Sequence, residues 1–296
     1  MAKLFTMYVC KNDYVKEIKT ICVCGAGTMG SGISQVAAQA GYKTIQYDLS
    51  NDMLAKSKAG IESSLNKLAL KQKISLYEKD ETLSRLIFTN NINDCVADII
   101  IEAIIEKEDV KISLFNTLAE INNHHCIFAT NTSSLSVNTL AEKIKNPERF
   151  AGMHFFNPAP VMKLVELVKG KHTGDKTIET LMQLTKQMGK TPVVCKDLPG
   201  FIVNRVARHY YLEAMYMVEK NKINIADADA IMEASGFKMG PFKLMDLIGL
   251  DINYSVSNTV WQALGHPERL TPSGLQKIKV QAGQLGKKTG KGFCEY

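Results

Sequence analysis

Two residues twelve positions apart could do acid–base chemistry in this chain: His154, near the end of the apolar run Ala151–Phe155, and Glu166, inside the apolar run Val161–Val168. Asn157–Pro158 and Pro160 between them make a fixed turn, so the second run returns beside the first. A carboxylate in an apolar strand needs a partner. An imidazole one hairpin away can be that partner. The carboxylate would fix the ring tautomer and stabilise the imidazolium, leaving a base able to take a proton from an alcohol near neutral pH. Taken alone, a histidine near a strand end is more often a structural residue than a catalytic one. What surrounds this one favours chemistry.

A base of this kind needs an acceptor for what the proton leaves behind, and the first part of the chain is built to hold one. Thr20–Ile21–Cys22–Val23–Cys24 is a continuous apolar run suited to a strand buried on both faces of a parallel sheet. Gly25–Ala26–Gly27–Thr28–Met29–Gly30 follows at once, then a small-residue helix over Ser31–Ala40 stopped by Gly41, then a strand over Lys43–Tyr47 ending in Asp48. Gly25 suits the tight turn, Gly27 close approach of a pyrophosphate, and Gly30 close helix packing. The helix N-terminus, around Thr28 and Met29, offers N–H groups to phosphates. Asp48 stands where a carboxylate accepts from a ribose hydroxyl and repels a 2′-phosphate. Leu49–Ser50–Asn51 supplies no arginine to offset that repulsion, so the expected cofactor is NAD rather than NADP. A glycine turn without a ligand is the competing reading, and the flanking strand, helix and acid weigh against it.

Further elements alternate. A long helix is expected over Asn51 to about Lys73, with Met53, Leu54, Ile61, Leu65 and Leu68 near one stripe. Strands are expected at Ile87–Phe88, Asp98–Ile101 and Cys126–Ala129, with a helix over Glu108–Glu120 between the last two. Ligands of open α/β sheets sit beyond the carboxyl ends of strands. Glu102, Glu106 and Ser133 fall near such ends. Glu106 reads equally as a helix-start charge, and Ser133 or Ser134 as a helix cap before Val137. A helix over Thr177–Met188 and a last strand at Pro192–Cys195 end the alternation. Asp197–Leu198–Pro199–Gly200 then breaks the pattern, and only helical segments follow, at Asn204–Lys220, Ala226–Ser235, from Pro241, Leu250–Leu264 and Ser273–Ala282.

The fold class is therefore α/β, a Rossmann-type mostly parallel sheet domain followed by an all-α C-terminal domain. The expected divisions are an extension over 1–18, a nucleotide-binding domain over 19–199 and a helical domain over 200–296. Composition fits: 296 residues, 45% hydrophobic and 22% charged, suit two soluble domains. The net charge of +6 has no basic cluster interleaved with aromatics, which excludes nucleic acid as an expected partner. No apolar run is long enough to span a membrane. Seven cysteines without framework spacing, four of them (Cys22, Cys24, Cys126, Cys195) in strand-like runs, read as small core residues of a reducing compartment and not as zinc ligands. The first residues lack a cleavage site and carry Asp13 and Glu17, so a cytoplasmic address is expected.

Gly25–Gly30, Glu102–Glu106, Asn131–Leu135, His154–Pro158 and Gly200–Arg205 together, in this order, resemble the L-3-hydroxyacyl-CoA dehydrogenase family, over Lys19 to Tyr296. The resemblance is to its short-chain members. It implies NAD as cofactor, an acyl-CoA as substrate and a homodimer through the C-terminal domain. It assigns the catalytic base to His154 and the acid that pairs with it to Glu166. Ser133 and Asn204 match residues holding the substrate oxygen by the nicotinamide. Glu106 and Lys111 match cofactor-side positions, Asn157 lines the site, and Ser64 and Lys71 match positions that contact CoA. A dehydrogenase of a free hydroxy acid or sugar acid, and a dinucleotide-binding protein without chemistry, remain the alternative functions. The thin core that about a hundred helical residues can make alone also favours burial against a second subunit.

Overall fold

The computed structural model describes residues 18–296. The expected extension over 1–18 lies outside them except for Ile18. The run Thr20–Cys24 (β1) is buried along most of its length because it faces two cores at once. Alternation at period two sends Ile21 and Val23 into one apolar cluster and Cys22 and Cys24 into another. The first cluster packs Ile33, Val36 and Ala37 of α1 (Thr28–Gln39) and Ile178, Leu181 and Leu184 of α6 (Asp175–Gln187) on one face of the sheet. The second packs Phe115 and Leu118 of α4 (Glu108–Ile121) and Leu140 of α5 (Val137–Ala141) on the other.

The remaining strands are β2 (Lys43–Tyr47), β3 (Leu86–Thr89), β4 (Ile99–Glu102), β5 (Ile127–Thr130), β6 (Phe150–Phe155), β7 (Leu164–Lys169) and β8 (Thr191–Lys196). Their order across the sheet is β3-β2-β1-β4-β5-β6-β7-β8. The order reverses between β1 and β4, and the crevice outside their carboxyl ends is where such sheets take ligands. All neighbours pair in parallel except β6 and β7, which are antiparallel. The sheet and its covering helices thus form the mostly parallel α/β half expected from sequence.

Three local details depart from expectation. The helix α2 (Asn51–Leu70) ends three residues before Lys73, where Gln72 takes a left-handed φ of 53°. A further helix, α3 (Leu76–Ser84), follows it. Its start is a capping box in which Ser75 accepts from the Glu78 N–H and Glu78 reaches back to the Ser75 N–H. The strand expected from Val161 begins only at Leu164, because Val161 and Met162 both donate their N–H to the Pro158 carbonyl in a turn.

After β8 come α7 (Val203–Glu219), α8 (Ile225–Ala234), α9 (Pro241–Ile248), α10 (Leu250–Ala263) and α11 (Gly274–Gln281). Their core gathers Tyr211, Met215, Phe242, Met245, Leu250 and Val260. Tyr211 and Met215 are core residues, whereas Tyr216 is half exposed. Buried Asp246 accepts from the N–H groups of Phe293 and Cys294 at 2.9 and 2.8 Å, so the last residues of the chain, from Gly286 on, form an ordered turn closed onto α9. Among the described residues no helix is long and apolar enough to cross a membrane.

Candidate active site

In the antiparallel ladder of β6 and β7, His154 stands directly opposite Glu166. Such cross-strand pairs have their Cβ atoms about 4.5–5.5 Å apart, so the backbone itself brings imidazole and carboxylate together. The His154 Nδ1 to Glu166 Oε2 distance is 2.8 Å, with the imidazole 6% exposed and the carboxylate fully buried. An ionised carboxylate can only accept, so Nδ1 carries the proton and Nε2 is left as the nitrogen able to take another. The ring lies against Phe156, centroids 4.5 Å apart, and near Phe201 at 5.8 Å.

Burial alone would raise the Glu166 carboxyl. The hydrogen bond with His154, the N–H groups of Val203 and Ile202 and the attraction of His154 outweigh it, and the group is held below the usual carboxylate range. Oε1 is the oxygen that takes those two N–H groups, each at 2.9 Å. They belong to the entry of α7, whose second residue is Asn204. The same carboxylate thus meets the sheet half on one oxygen and the helical half on the other. Nothing in the spacing of Glu166 and Ile202 could have signalled this contact.

Ser133 follows β5 in a turn held by Glu106. Its Oε1 accepts from the Thr132 hydroxyl, the N–H groups of Ser133 and Ser134 at 3.1 and 3.3 Å, and the Ser134 hydroxyl at 3.1 Å. Burial opposes the charge on Glu106, but Lys111 and these hydroxyls hold its carboxyl below the ordinary range. Glu106 is therefore not a helix-start charge. Ser133 and Ser134 are not the cap of α5 either: Ser136 is, accepting from the Thr139 N–H. The cap expected at Ser133 or Ser134 falls two or three residues later, because Glu106 binds the backbone N–H groups of both.

Lys111 is 1% exposed, its ammonium paired with Glu102 and, at 3.2 Å, with Glu106. Burial raises the Glu102 carboxyl, and Lys111, the Thr130 hydroxyl and the Ile104 N–H oppose that rise only in part. Lys111 is thus placed behind the carboxylates and not at the crevice surface. Sequence reading also missed Asn131, whose Oδ1 accepts from the Phe155 N–H at 2.8 Å and ties the end of β6 to that of β5.

The glycine turn lies at the carboxyl end of β1. Gly25 has a φ of +109°, and a Cβ there would meet the Ala103 carbonyl oxygen at 2.4 Å. A Cβ on Gly30 would meet the Gly25 carbonyl oxygen at 1.9 Å, whereas one on Gly27 would have nothing within 4 Å. Gly27 therefore borders open space. With Gly25, Asp48, Met53 and Ala103 it lines a cavity of about 830 Å³. The Asp48 carboxylate accepts from the Ala26 N–H at 2.8 Å and the Ser50 N–H at 2.9 Å, which aims it at the cavity's rim. Backbone room, the free start of α1 and an oriented acid fit a dinucleotide pyrophosphate and ribose.

Asn157 is exposed just past β6, one turn from His154. Ser64 and Lys71 lie seven residues apart at one end of α2, Ser64 half-buried within it and Lys71 exposed at its C-cap. Two helical turns set them on one face. Neither is brought against His154.

A family model described as 3-hydroxyacyl-CoA dehydrogenase, NAD binding domain, matches residues 20–198, and one described as 3-hydroxyacyl-CoA dehydrogenase, C-terminal domain, matches residues 200–296. The chain is 45% identical over 283 residues to 3-hydroxyadipyl-CoA dehydrogenase of Escherichia coli K12, covering 95% of itself but only 59% of that protein's length. It is 42% identical to the mitochondrial hydroxyacyl-coenzyme A dehydrogenase of Homo sapiens, over 94% of this chain and 91% of the relative. The crystal structure of (S)-3-hydroxybutyryl-CoA dehydrogenase from Ralstonia eutropha superposes with a TM-score of 0.90 at 36% identity, covering 95% of this chain and 99% of that one.

Proposed function

The chain belongs to the 3-hydroxyacyl-CoA dehydrogenase family, and on that premise we propose that it is an NAD-dependent oxidoreductase interconverting short-chain (S)-3-hydroxyacyl-CoA and 3-ketoacyl-CoA. The observation that carries the reading is the buried His154–Glu166 pair at 2.8 Å, with His154 near the carboxyl end of β6 in the same sheet as the glycine turn.

Gly25, Gly27, Thr28, Met29, Gly30 and Asp48 would hold NAD, with Glu106 and Asn157 on the nicotinamide side and buried Lys111 acting from behind, through Glu106. The cofactor supplies the acceptor for the hydride on C3. His154 Nε2 takes the proton of the 3-hydroxyl as the carbonyl forms, and the imidazolium so made rests against Glu166. Ser133 and Asn204 hold the substrate oxygen, which fixes the reacting alcohol against the ring nitrogen. In the reverse direction the imidazolium returns the proton to the ketone oxygen. The CoA moiety would run past Ser64 and Lys71.

The proposal extends to a homodimer through the helical half, supported by the exposed apolar side chains of Val206, Ile231, Phe237, Leu247, Ile252 and Ile278. It also includes a reducing, cytoplasmic setting, supported by Cys22, Cys24, Cys95, Cys195 and Cys294, which form no disulfide among the described residues.

The test is NADH oxidation with acetoacetyl-CoA beside free acetoacetate. Turnover with the thioester alone supports the reading, and equal turnover of the free acid overturns it. His154→Gln is expected to lose about 10²–10⁴-fold in kcat while still binding NADH by fluorescence titration. Near-normal turnover in that variant overturns the role of His154.

A further inference from the structure

The start of α7 has no cap of its own. Ile202 occupies the capping position, no side chain of the segment accepts from the first turn, and no acidic residue lies in that turn. The chain enters it through Gly200 and Phe201, both left-handed, at φ of 76° and 48°. The opening N–H groups of a helix have no intrahelical acceptor and must find one elsewhere. Those of Ile202 and Val203 find it in Oε1 of Glu166, which arrives from β7, thirty-six and thirty-seven positions earlier. Asn204 is the next residue, and its carbonyl is held from behind by the guanidinium of buried Arg208 at 3.0 Å.

We infer that Glu166 caps α7 from across the domain junction and so acts as a positioning residue for Asn204, independently of its pairing with His154. The two oxygens divide the work. Oε2 sets the imidazole, and Oε1 sets the helix that carries the amide to the substrate oxygen. The inference rests on the role proposed above for Asn204. It separates two effects that a simple activity assay of a Glu166 variant would merge.

Glutamine can keep one of these contacts and lose the other. With its amide oxygen on the Ile202 and Val203 N–H groups, its NH₂ faces Nδ1 of His154 and imposes the tautomer whose Nε2 is already protonated. Alanine loses both. The measurement is therefore made where the imidazole is absent. In His154→Gln protein with NAD present, acetoacetyl-CoA is titrated by calorimetry. Adding Glu166→Ala is expected to weaken its binding about tenfold, as loss of a helix cap would. Adding Glu166→Gln should leave it within about twofold. Equal affinities in the alanine and glutamine variants overturn the inference, since Glu166 would then act through His154 alone.

Asn204→Ala in the same background is the control for the underlying reading. If it binds acetoacetyl-CoA as tightly as its parent, the assignment of Asn204 fails, whatever Glu166 does. If it weakens binding and Glu166→Ala adds nothing further to it, the two residues act as one unit, as inferred. Should Glu166→Ala not fold, Glu166→Asp serves. It keeps the charge but is one methylene too short to reach both partners, and parental affinity in that variant overturns the inference equally.

Discussion

Gly30→Ala places a methyl carbon 1.9 Å from the carbonyl oxygen of Gly25 and 2.8 Å from its carbonyl carbon. Carbon and oxygen in ordinary contact stand about 3.3 Å apart, so α1 and the turn must separate by about 1.4 Å. Neither side yields cheaply. Gly25 is held in its own left-handed conformation with Ala103 close behind it, and α1 is packed on the sheet through Ile33, Val36 and Ala37. Overpacking of this kind costs about 1–3 kcal/mol, and a clash with backbone belongs at the upper end. At about 2–4 °C per kcal/mol for a domain of this size, the expected drop in melting temperature is about 6–12 °C. Gly27→Ala is the comparison, because its added carbon meets nothing within 4 Å. That variant should melt as the parent does yet bind NADH about tenfold more weakly, since the methyl occupies ligand space. Calorimetric melts without nucleotide, followed by NADH titration, separate the two. A Gly30→Ala protein that melts within about 2 °C of the parent refutes the packing argument. A Gly27→Ala protein that melts early but binds normally refutes the assignment of that open space.

Three other outcomes are expected. Asp48→Ser removes the charge that would repel a 2′-phosphate, and with it an acceptor for the Ala26 and Ser50 N–H groups. NADH affinity should fall while the kcat/KM ratio of NADPH to NADH rises about tenfold, and an unchanged ratio would count against Asp48 as the selecting residue. Glu166 is held below its ordinary range, so its contribution to stability is present above about pH 4.3, the unfolded value, and is lost as pH falls through the lower folded value. Urea unfolding from pH 6 downward should show this acid-side loss, and Glu166→Gln should flatten it. Equal slopes would mean the carboxylate is not favoured by the fold. Lys190→Met removes an ammonium that donates to the carbonyls of Ala159 and Met162 at 2.6 and 2.9 Å. We expect about 1–3 kcal/mol of destabilisation and a raised KM, because the turn carrying Asn157 loses its anchor. Parental melts and kinetics would show that the turn holds itself.

What sequence revealed and what it hid divide by distance along the chain. The glycine turn, its flanking strands and Asp48 were legible because their signals lie within one local unit and each residue type there has one mechanical role. The His154–Glu166 pair was legible for a similar reason, since a short turn with two prolines almost dictates which residues face each other. The helix α3 had a local signal too, in Ser75 and Glu78, but its few apolar residues are mostly exposed and leave no periodic stripe. The partners of Glu106 were not legible. Four donors from Thr132 to Ser134 converge on it from twenty-six to twenty-eight positions away, and only the sheet order brings β4 and β5 side by side. The cap of α7 was hidden in the same way, because the absence of a capping residue at Ile202 does not say which distant strand supplies one.

The single antiparallel step in the sheet has a consequence for recombination between relatives. His154 and Glu166 lie on adjoining strands of one hairpin, so any exchange of segments that cuts at 198–200 transmits imidazole and carboxylate together with their register. A cut at 156–163 would instead join a base to a foreign acid and stake the pair on two parents agreeing about strand alignment to the residue. Chimaeras made at the first site inherit an intact imidazole–carboxylate pair whatever helical half they receive. Only the fit of that half's opening turn to the waiting carboxylate oxygen then remains to be matched.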